Sequence, residues 1–575
     1  MRRWNVGLAV LALLLAILVY VPIATRPLEL EPDLSLRVMT HDAFARHLQF
    51  GRDLVYTYGP WGILYRGFDP RTERIVLAVS ALLAIVFAST MVQLLRKIHP
   101  AAAVAILIGA AAVIVSSGDD ARFIAFGLLV LLCGFLPPER ARDVPLVAAL
   151  ALISLIKFSF LIVALFVIAT RRSWEAVAVF FVAFVIFWLG AGQHLDVLPL
   201  FLGRGAEISA GYAGAASLGS GIPFACIGAA GLAIVAIIVE RSLIPAIAVV
   251  GMTWLLMKIG YVRADDAHAQ VANGLLLFFG LGYLLLRVPR ARIPALVAIA
   301  AAILANGVAL IDATRADFRR GGQAGAPVLP RQMLDGTVDA YPYGSAALIA
   351  DGLRYTPRPV FESYMAWTPR LTELNAEHLR GASAPQWLWV GIDSVDERYA
   401  LFDDAPSWLE MIRRYDVAGS SDRLLLRKSA SVRPLALASL GSNRGRFNED
   451  LALPDAPLLW LAIDLQPTLL TRVEEILARP PVIYVEIVTA DGKRAGYRTP
   501  VALLHAGFLV SPHVTSIADL GAMMRDQSGR RAKAIRVIGR GYRQPFTLRF
   551  SAVKTPVRAS ETLPVPASPR TSLPR

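Results

Sequence analysis

The sequence is poor in charged residues, which make up 18% of its 575 positions. Soluble globular domains carry about 25%. Cysteine is scarce as well: Cys133 and Cys226 are the only two, and each lies inside an apolar run. Two cysteines placed in this way exclude a disulfide framework and a zinc site built on cysteine thiolates.

Apolar residues are abundant instead, at 55% of the chain, and the mean hydropathy is +0.53. They concentrate before Asp312, whereas the residues from 312 onward have the composition of a soluble protein. This uneven distribution excludes a purely cytosolic enzyme, a fibrous protein and a disordered scaffold. It predicts a membrane domain over 1–311, followed by soluble domains.

The apolar runs predict the membrane segments, since a helix needs about 20 apolar residues to cross a bilayer. The run 144–170 is longer than this and contains Lys157 near its middle. The first run follows Arg2-Arg3 like a signal peptide, but we interpret it as a retained anchor because many runs follow it. Besides 144–170, the predicted membrane runs, including this first one, cover 6–24, 75–95, 100–117, 122–136, 174–190, 223–240, 243–259, 268–286 and 292–311.

Basic residues indicate the orientation, because cytoplasmic loops are enriched in Lys and Arg. These residues fall in alternate loops only if 144–170 crosses and returns as two short helices around Lys157. The sequence therefore predicts a polytopic α-helical protein of the bacterial inner (cytoplasmic) membrane. It would have about eleven membrane helices and a C-terminal part on the periplasmic side. The net charge of +14 is then explained by topology, and we expect no nucleic-acid partner.

The first outer loop, 25–74, carries the most distinctive pattern. Asp42, Arg46 and Gln49 share one face at helical spacing, which predicts an amphipathic helix in the membrane interface that ends at Gly51. The run Tyr-Gly-Pro-Trp-Gly at 58–62 predicts a tight, aromatic-rich turn. The simplest interpretation is an interfacial anchor with solvated charges.

The same loop resembles that of membrane glycosyltransferases of the GT-C fold. These enzymes carry an Asp or Asp-Glu soon after the first span, then an aromatic residue and a Gly-x-x-Tyr…Pro-Pro-Leu stretch. Asp42-Ala43-Phe44 and the segment 51–62 stand at the corresponding places, and 154–159 resembles the Leu-Thr-Lys break of that fold. His41-Asp42 replaces the usual paired acids, which leaves the choice between Asp42 and Asp53 open.

The resemblance implies transfer of a sugar from a polyprenyl-phosphate donor to an envelope glycan or lipid acceptor. Asp42 or Asp53 would be the general base. The donor phosphate would bind cations near the outer ends of spans, for which the chain offers Lys157, Arg122 and Arg263. Snorkelling of Lys157 to the lipid headgroups is an equal alternative.

Other polar residues of the outer loops are candidates for supporting roles. Asp119-Asp120 could hold a divalent cation or orient Arg122, although capping of the next helix is the simpler role for one of them. Capping is likewise the default role for Asp265 and Asp266, which precede the span at 268. These residues do not determine a cofactor. The supporting candidates are Asp119, Asp120, Asp265, Asp266, His268, Tyr58, Glu207 and Tyr212.

The soluble part predicts two folded regions and a tail. Strands at 347–350, 386–392 and 423–427, with a helix at 407–415, predict a small α/β module over 312–432. Apolar runs at 458–463, 482–488, 499–504 and 535–538 predict a β-sandwich-like domain over 433–553. The proline-rich tail, 554–575, has too little apolar content to fold.

Two functions follow from this sequence. The first is a membrane glycosyltransferase with an outward-facing site. The second is a non-catalytic membrane component of cell-envelope polysaccharide assembly or export. A transporter fits less well, because almost all ionisable residues lie at the ends of the apolar runs.

Overall fold

The computed structural model describes residues 2–22, 32–65, 69–96, 99–218, 225–263, 265–288 and 335–556, together with positions 330 and 333. The predicted run 292–311 and nearly all of the predicted tail lie outside the described residues. The chain divides into two compact units. The first, the helical unit, comprises 1–326 and the short segment Glu474–Pro480, and the second comprises 327–473 and 481–575.

The described part of the helical unit is built from α-helices joined by short loops. Most of these helices are apolar around their whole circumference, as expected where one face contacts protein and the other contacts lipid. They are α1 (Arg2–Tyr20), α2 (Pro32–Ala45), α3 (Glu73–Leu95), α4 (Pro100–Ser116), α5 (Asp119–Cys133), α6 (Arg140–Ser154), α7 (Phe158–Arg171), α8 (Trp174–Gly190), α9 (Leu198–Ala216), α10 (Ala225–Val239), α11 (Leu243–Tyr261) and α12 (Asp266–Arg287).

The predicted count of about eleven membrane helices is wrong. Within the described residues, three helices are long and apolar enough to cross a membrane: Glu73–Leu95, Leu243–Tyr261 and His268–Arg287. A fourth span results if α8 and the segment Leu195–Ala216, which meet at a bend of 114°, count together. The shorter apolar helices have 10–17 residues, and at 1.5 Å per residue they do not reach the roughly 30 Å of a bilayer core. They are Trp4–Tyr20, Pro100–Val115, Phe158–Arg171 and Cys226–Val239. An eleven-span GT-C-like fold is therefore contradicted.

The break predicted within 144–170 is confirmed. α6 ends at Ser154 and α7 begins at Phe158. The two helices return on each other, because Arg171 at the end of α7 lies 3.1 Å from Asp143 at the start of α6. Arg140 also pairs with Glu175 of α8, at 2.6 Å. We call this end of the unit the arginine end, and we call the opposite end, where α5 begins and α6 ends, the acidic end.

The helix predicted in the first loop differs from the observed one. α2 ends at Ala45, so Arg46 and Gln49 lie beyond it, and Gly51 does not terminate it. Its residues Ser35, Met39 and Ala43 are completely buried. α2 is thus packed into the unit rather than lying flat in an interface. The aromatic turn predicted at 58–62 is a 3₁₀ helix over Pro60–Leu64.

The described part of the second unit contains three sheets. One five-stranded mixed sheet has the order β2-β1-β3-β5-β4, and two antiparallel four-stranded sheets have the orders β10-β9-β12-β7 and β11-β8-β13-β6. The strands are β1 (Thr337–Tyr341), β2 (Arg354–Tyr355), β3 (Trp387–Val390), β4 (Tyr415–Ser420), β5 (Leu424–Lys428), β6 (Ala436–Gly445), β7 (Asp450–Ala452), β8 (Leu459–Asp464), β9 (Tyr484–Thr489), β10 (Arg494–Arg498), β11 (Phe508–Ser511), β12 (Ala532–Ile538) and β13 (Phe546–Lys554).

Short helices connect these strands, and two of them replace predicted strands. The segments 347–350 and 499–504 were expected to be extended, but they fall in helices that follow a strand or a turn. Short apolar runs cannot be assigned from periodicity alone. The helices are α13 (Ser345–Ala350), α14 (Pro369–Arg380), α15 (Ala405–Arg414), α16 (Leu469–Leu477), α17 (Val501–Ala506) and α18 (Ile517–Asp526).

Candidate functional site

The first loop is fixed to the break between α6 and α7 by backbone hydrogen bonds. The N–H groups of Gly59 and Trp61 donate to the carbonyls of Ile156 and Leu155, at 2.9 and 3.1 Å, and Phe158 donates back to Thr57 at 2.8 Å. Helix ends leave such carbonyls and N–H groups without intrahelical partners. The loop therefore supplies hydrogen-bond partners for the free backbone groups at the break between α6 and α7, as a neighbouring strand would.

This docking assembles four side chains that we call the acid–lysine cluster: Tyr58, Tyr65, Asp120 and Lys157. Lys157 Nζ lies 2.6 Å from Asp120 Oδ2 and 5.6 Å from the centre of the Tyr58 ring. Tyr65 stacks on Tyr58 and donates its hydroxyl to Asp120 Oδ1. Lys157 and Asp120 are 22% and 24% exposed, so a ligand can reach both.

Tyr65 was not singled out in the sequence, although it belongs to the same loop. Burial, reinforced by the Asp120 carboxylate, raises the pKa of Tyr65 well above its ordinary value. Its hydroxyl therefore remains a donor to the Asp120 carboxylate. A tyrosine seven residues after another in an aromatic run has no signal of its own, which explains why sequence analysis missed it.

Asp119 and Arg122 flank the cluster but have different tasks. Asp119 lies 3.2 Å from Arg37 of α2, which sequence analysis also missed. Arg122 is 2% exposed, donates to the Leu64 carbonyl at 2.8 Å and lies against the carbonyl of Tyr20 at 3.4 Å. Arg122 thus braces α1 and the first loop instead of presenting its charge to a ligand. The capping role expected for one residue of the Asp119-Asp120 pair is wrong, because Gly118 is the N-cap of α5 and no side-chain hydrogen bond caps the helix.

The two expected bases, Asp42 and Asp53, lie outside the acid–lysine cluster. Asp42 is 5% exposed, and its two oxygens bind Arg46 and Arg71, each at 2.9 Å. Asp53 accepts the N–H of Gln49 at 2.8 Å and pairs with its neighbour Arg52. Both carboxylates therefore fix the loop on which they lie.

A pair of glutamines joins the first loop to the turn after α8. Gln193 accepts from the N–H of Phe50 at 2.8 Å and donates to the Leu48 carbonyl at 3.1 Å. Gln49 reciprocates by accepting from the N–H of His194 at 2.8 Å and donating to the Gly192 carbonyl at 3.0 Å. Because these contacts join positions more than 140 residues apart, no sequence pattern predicts them.

A second polar group lies at the start of α12. Asp265 caps this helix by accepting the N–H of His268 at 2.9 Å, which confirms the capping role expected at this position. Its other oxygen lies 2.5 Å from Arg263 Nε, and Tyr212 reaches His268 Nε2 at 3.5 Å. Arg263 is thus held by a carboxylate. Of the remaining candidates, Glu207 is half-buried on α9, and the side chain of Asp266 is outside the described part.

The described residues contain no group of three or more His, Cys, Asp or Glu side chains placed to hold a metal ion. What the site offers is a cation beside a partly exposed carboxylate, packed against two stacked tyrosines, of which Tyr65 is 2% exposed. Such a site suits an anionic ligand, since Lys binds phosphate as a point charge. Comparison of the chain with protein-family models and with curated proteins finds no match in either.

Proposed function

We propose that the chain is a glycosyltransferase of the bacterial inner membrane, which moves a sugar from a polyprenyl-phosphate donor to an envelope glycan or lipid acceptor. The observation that carries the proposal is the acid–lysine cluster. It joins a carboxylate to a cation at 2.6 Å, and its members come from three separate segments of the chain. The proposal depends on this cluster and not on the eleven-span fold.

The distribution of charge supports an outward-facing site. Arg140, Arg142 and Arg171 gather at the arginine end, where Arg140 and Arg171 pair with acidic residues on neighbouring helices and Arg142 pairs with Asp143 of its own helix. The positive-inside rule assigns this end to the cytoplasm. The acid–lysine cluster would then face the periplasm, where a lipid-linked sugar and an envelope acceptor can meet.

The chemistry requires one bond to form and one to break. The acceptor hydroxyl oxygen attacks the anomeric carbon of the sugar, and the bond from that carbon to the phosphate oxygen breaks. The polyprenyl phosphate leaves with the electron pair, and the acceptor proton passes to a carboxylate base. A cation near the leaving phosphate lowers the barrier by stabilising its developing charge.

We assign the phosphate-binding role to Lys157 and the base role to Asp120. In the present structure the two neutralise each other. A donor phosphate would compete with Asp120 for the ammonium group, and its binding would make one oxygen of Asp120 available to the acceptor hydroxyl. Tyr65 would hold the other oxygen, which keeps the carboxylate oriented.

Asp120 fits the role of base better than Asp42 does. Asp42 has two arginine partners and is 5% exposed, whereas Asp120 is 24% exposed with one cation. Removal of the Asp42 charge would leave two arginines with one partner fewer. We therefore expect Asp42→Asn to act mainly on stability, and Asp120→Asn to act on the chemical step.

The test is transfer of a labelled sugar from polyprenyl-phosphate donors by the purified full chain. Removal of a general base typically costs about 100- to 10,000-fold in rate, so Asp120→Asn should lower kcat by this factor in a folded protein. Lys157→Ala should weaken use of the donor, and Lys157→Arg should restore part of it because the charge returns. Asp196→Asn and Lys533→Ala, which change exposed residues, are the matched controls and should keep full activity.

Two results would contradict different parts of the proposal. Full activity in Asp120→Asn would refute the assignment of the base, while the transferase function would stand. No transfer by the wild-type chain from any such donor would refute the function. The non-catalytic role in polysaccharide assembly would then be preferred, and it is consistent with the structural pairing of Asp42 and Asp53.

A further inference from the structure

Helix α16 exposes an apolar face that no described residue covers. Its five members are 43–78% exposed, although each is a leucine, isoleucine or valine. They recur at helical spacing, so they form one continuous stripe. We call this stripe the apolar face of α16, and it comprises Leu469, Leu470, Val473, Ile476 and Leu477.

The opposite side of the helix is held in place. Thr471 is 1% exposed and donates its hydroxyl to the Gly541 carbonyl. The N–H of Thr468 also donates to Gly541, at 3.0 Å. These bonds turn the opposite side of the helix toward the segment around Gly541, so the apolar face points away from it.

The end of α16 and the residues that follow it belong to the helical unit, which includes Glu474–Pro480. Lys258 Nζ donates to the carbonyls of Glu475 and Ala478, at 2.7 and 2.9 Å. Trp254 Nε1 donates to the Leu477 carbonyl at 3.3 Å. These bonds join the segment to α11, which is a candidate membrane span.

The contact falls near the end of that span. Lys258 lies one turn before Tyr261, where α11 ends, and Trp254 lies one turn earlier and is 40% exposed. This end of α11 is at the acidic end of the unit, since Gly260 packs closely on Ala272 of α12 and Gly274 on Ser117. Tryptophan and lysine are typical of the boundary between lipid and water.

We infer that α16 is an interfacial helix, which inserts its apolar face into the lipid of the outer leaflet beside the end of α11. A lipid surface is the occupant that the observations favour over a protein partner. An amphipathic helix bonded to the boundary turns of a membrane span has lipid as its nearest apolar phase. Insertion removes five large apolar side chains from water, which is favourable by the hydrophobic effect. The inference does not depend on the transferase function.

The test uses the full chain with Cys133→Ala and Cys226→Ala, into which single cysteines are placed for an environment-sensitive fluorophore. Leu470→Cys and Ile476→Cys report on the apolar face. Leu437→Cys on β6 is the control, because this apolar side chain is also exposed, at 47%. The labelled proteins are reconstituted into vesicles of phosphatidylcholine and phosphatidylglycerol that carry a spin-label quencher just below the headgroups.

We expect the quencher to reduce fluorescence at 470 and 476 but not at 437. The quenching should be independent of the ratio of protein to lipid. An equal response to the quencher at all three positions would overturn the inference. Shielding at 470 and 476 that appears only at high protein density, without quenching by the lipid label, would also overturn it, because a second copy of the chain would then cover the face.

Discussion

Single residues show both what the sequence reveals and what it conceals. Lys157 was identifiable because an ionisable residue inside an apolar run needs a reason. Its partner Asp120 was not identifiable as such, because it lies in the first turn of a helix and resembled a helix-capping residue. Asp42 was chosen for its place in the loop, but Arg71, which binds it, lies 29 residues later. A carboxylate's chemistry depends on its partners, and distant partners are fixed by the fold.

His41 allows a test of the packing around α2. Its Nδ1 lies 2.6 Å from Thr72 Oγ1, and its side chain is 4% exposed. Burial lowers the pKa of His41 to about 4, while nearby Asp69 opposes this shift and nearby Arg71 adds to it. An unfolded histidine titrates near 6.5. Because the folded pKa is depressed, the unfolded chain binds the proton first, and stability is lost as the pH falls from about 6.5 toward 4.

We therefore expect the unfolding temperature of the wild type to fall more steeply than that of His41→Gln between about pH 6.5 and pH 4. The group accounts for up to about 3 kcal/mol over this interval. Tryptophan fluorescence in detergent measures the transition. His194→Gln, which alters an exposed histidine, is the control and should retain the wild-type slope. Parallel slopes for the wild type and His41→Gln would show that His41 is solvated.

At the scale of elements, the sequence predicted where helices break better than where they lie. The break at Lys157 was predictable from a long apolar run and alternating arginines, and α6 and α7 confirm it. The placement of α2 was not predictable, because its spacing fits an interfacial helix as well as a packed one. Burial of Ser35 and Thr40 on this helix decides between the two, and burial comes from neighbours that only the fold supplies.

The docking of the first loop on the helix break can be tested at Gly59. A methyl group added to Gly59 would lie 2.3 Å from the carbonyl oxygen of Leu155, which is too close for any contact. We expect Gly59→Ala to displace the loop and to destabilise the protein by about 1–3 kcal/mol, as overpacking generally does. Its effect should appear as a lower unfolding temperature.

Gly203→Ala is the matched control for this substitution. Gly203 lies within α9 with nothing within 4 Å of an added Cβ. Because alanine is favoured over glycine in helices by roughly 0.5–1 kcal/mol, this variant should be as stable as the wild type or more so. Equal stability of Gly59→Ala and Gly203→Ala would mean that the loop is not held against the break.

At the scale of the whole molecule, apolar length was overestimated. Most of the runs of 15–19 apolar residues that were counted as spans form helices that end too early to cross a bilayer. The described part has three candidate spans, or four with the bent pair. Helix length depends on where the backbone ends its hydrogen bonding, which hydropathy does not record. Of the arginines predicted on one face, Arg140, Arg142 and Arg171 do lie together at one end.

This separation of charge predicts how the molecule lies in the membrane. Arg140 at the arginine end is 84% exposed, and Leu195, which follows α8, is 52% exposed. Leu195 belongs to the acidic end, because Gln193, two residues earlier, binds the first loop. With Cys133→Ala and Cys226→Ala as background, we expect a membrane-impermeant maleimide to label Leu195→Cys on intact spheroplasts. Arg140→Cys should react only after permeabilisation, because the positive-inside rule retains arginines in the cytoplasm.

The reverse pattern would invert the orientation and place the acid–lysine cluster in the cytoplasm. Equal labelling of both on intact cells would show that the two ends are not separated by a bilayer.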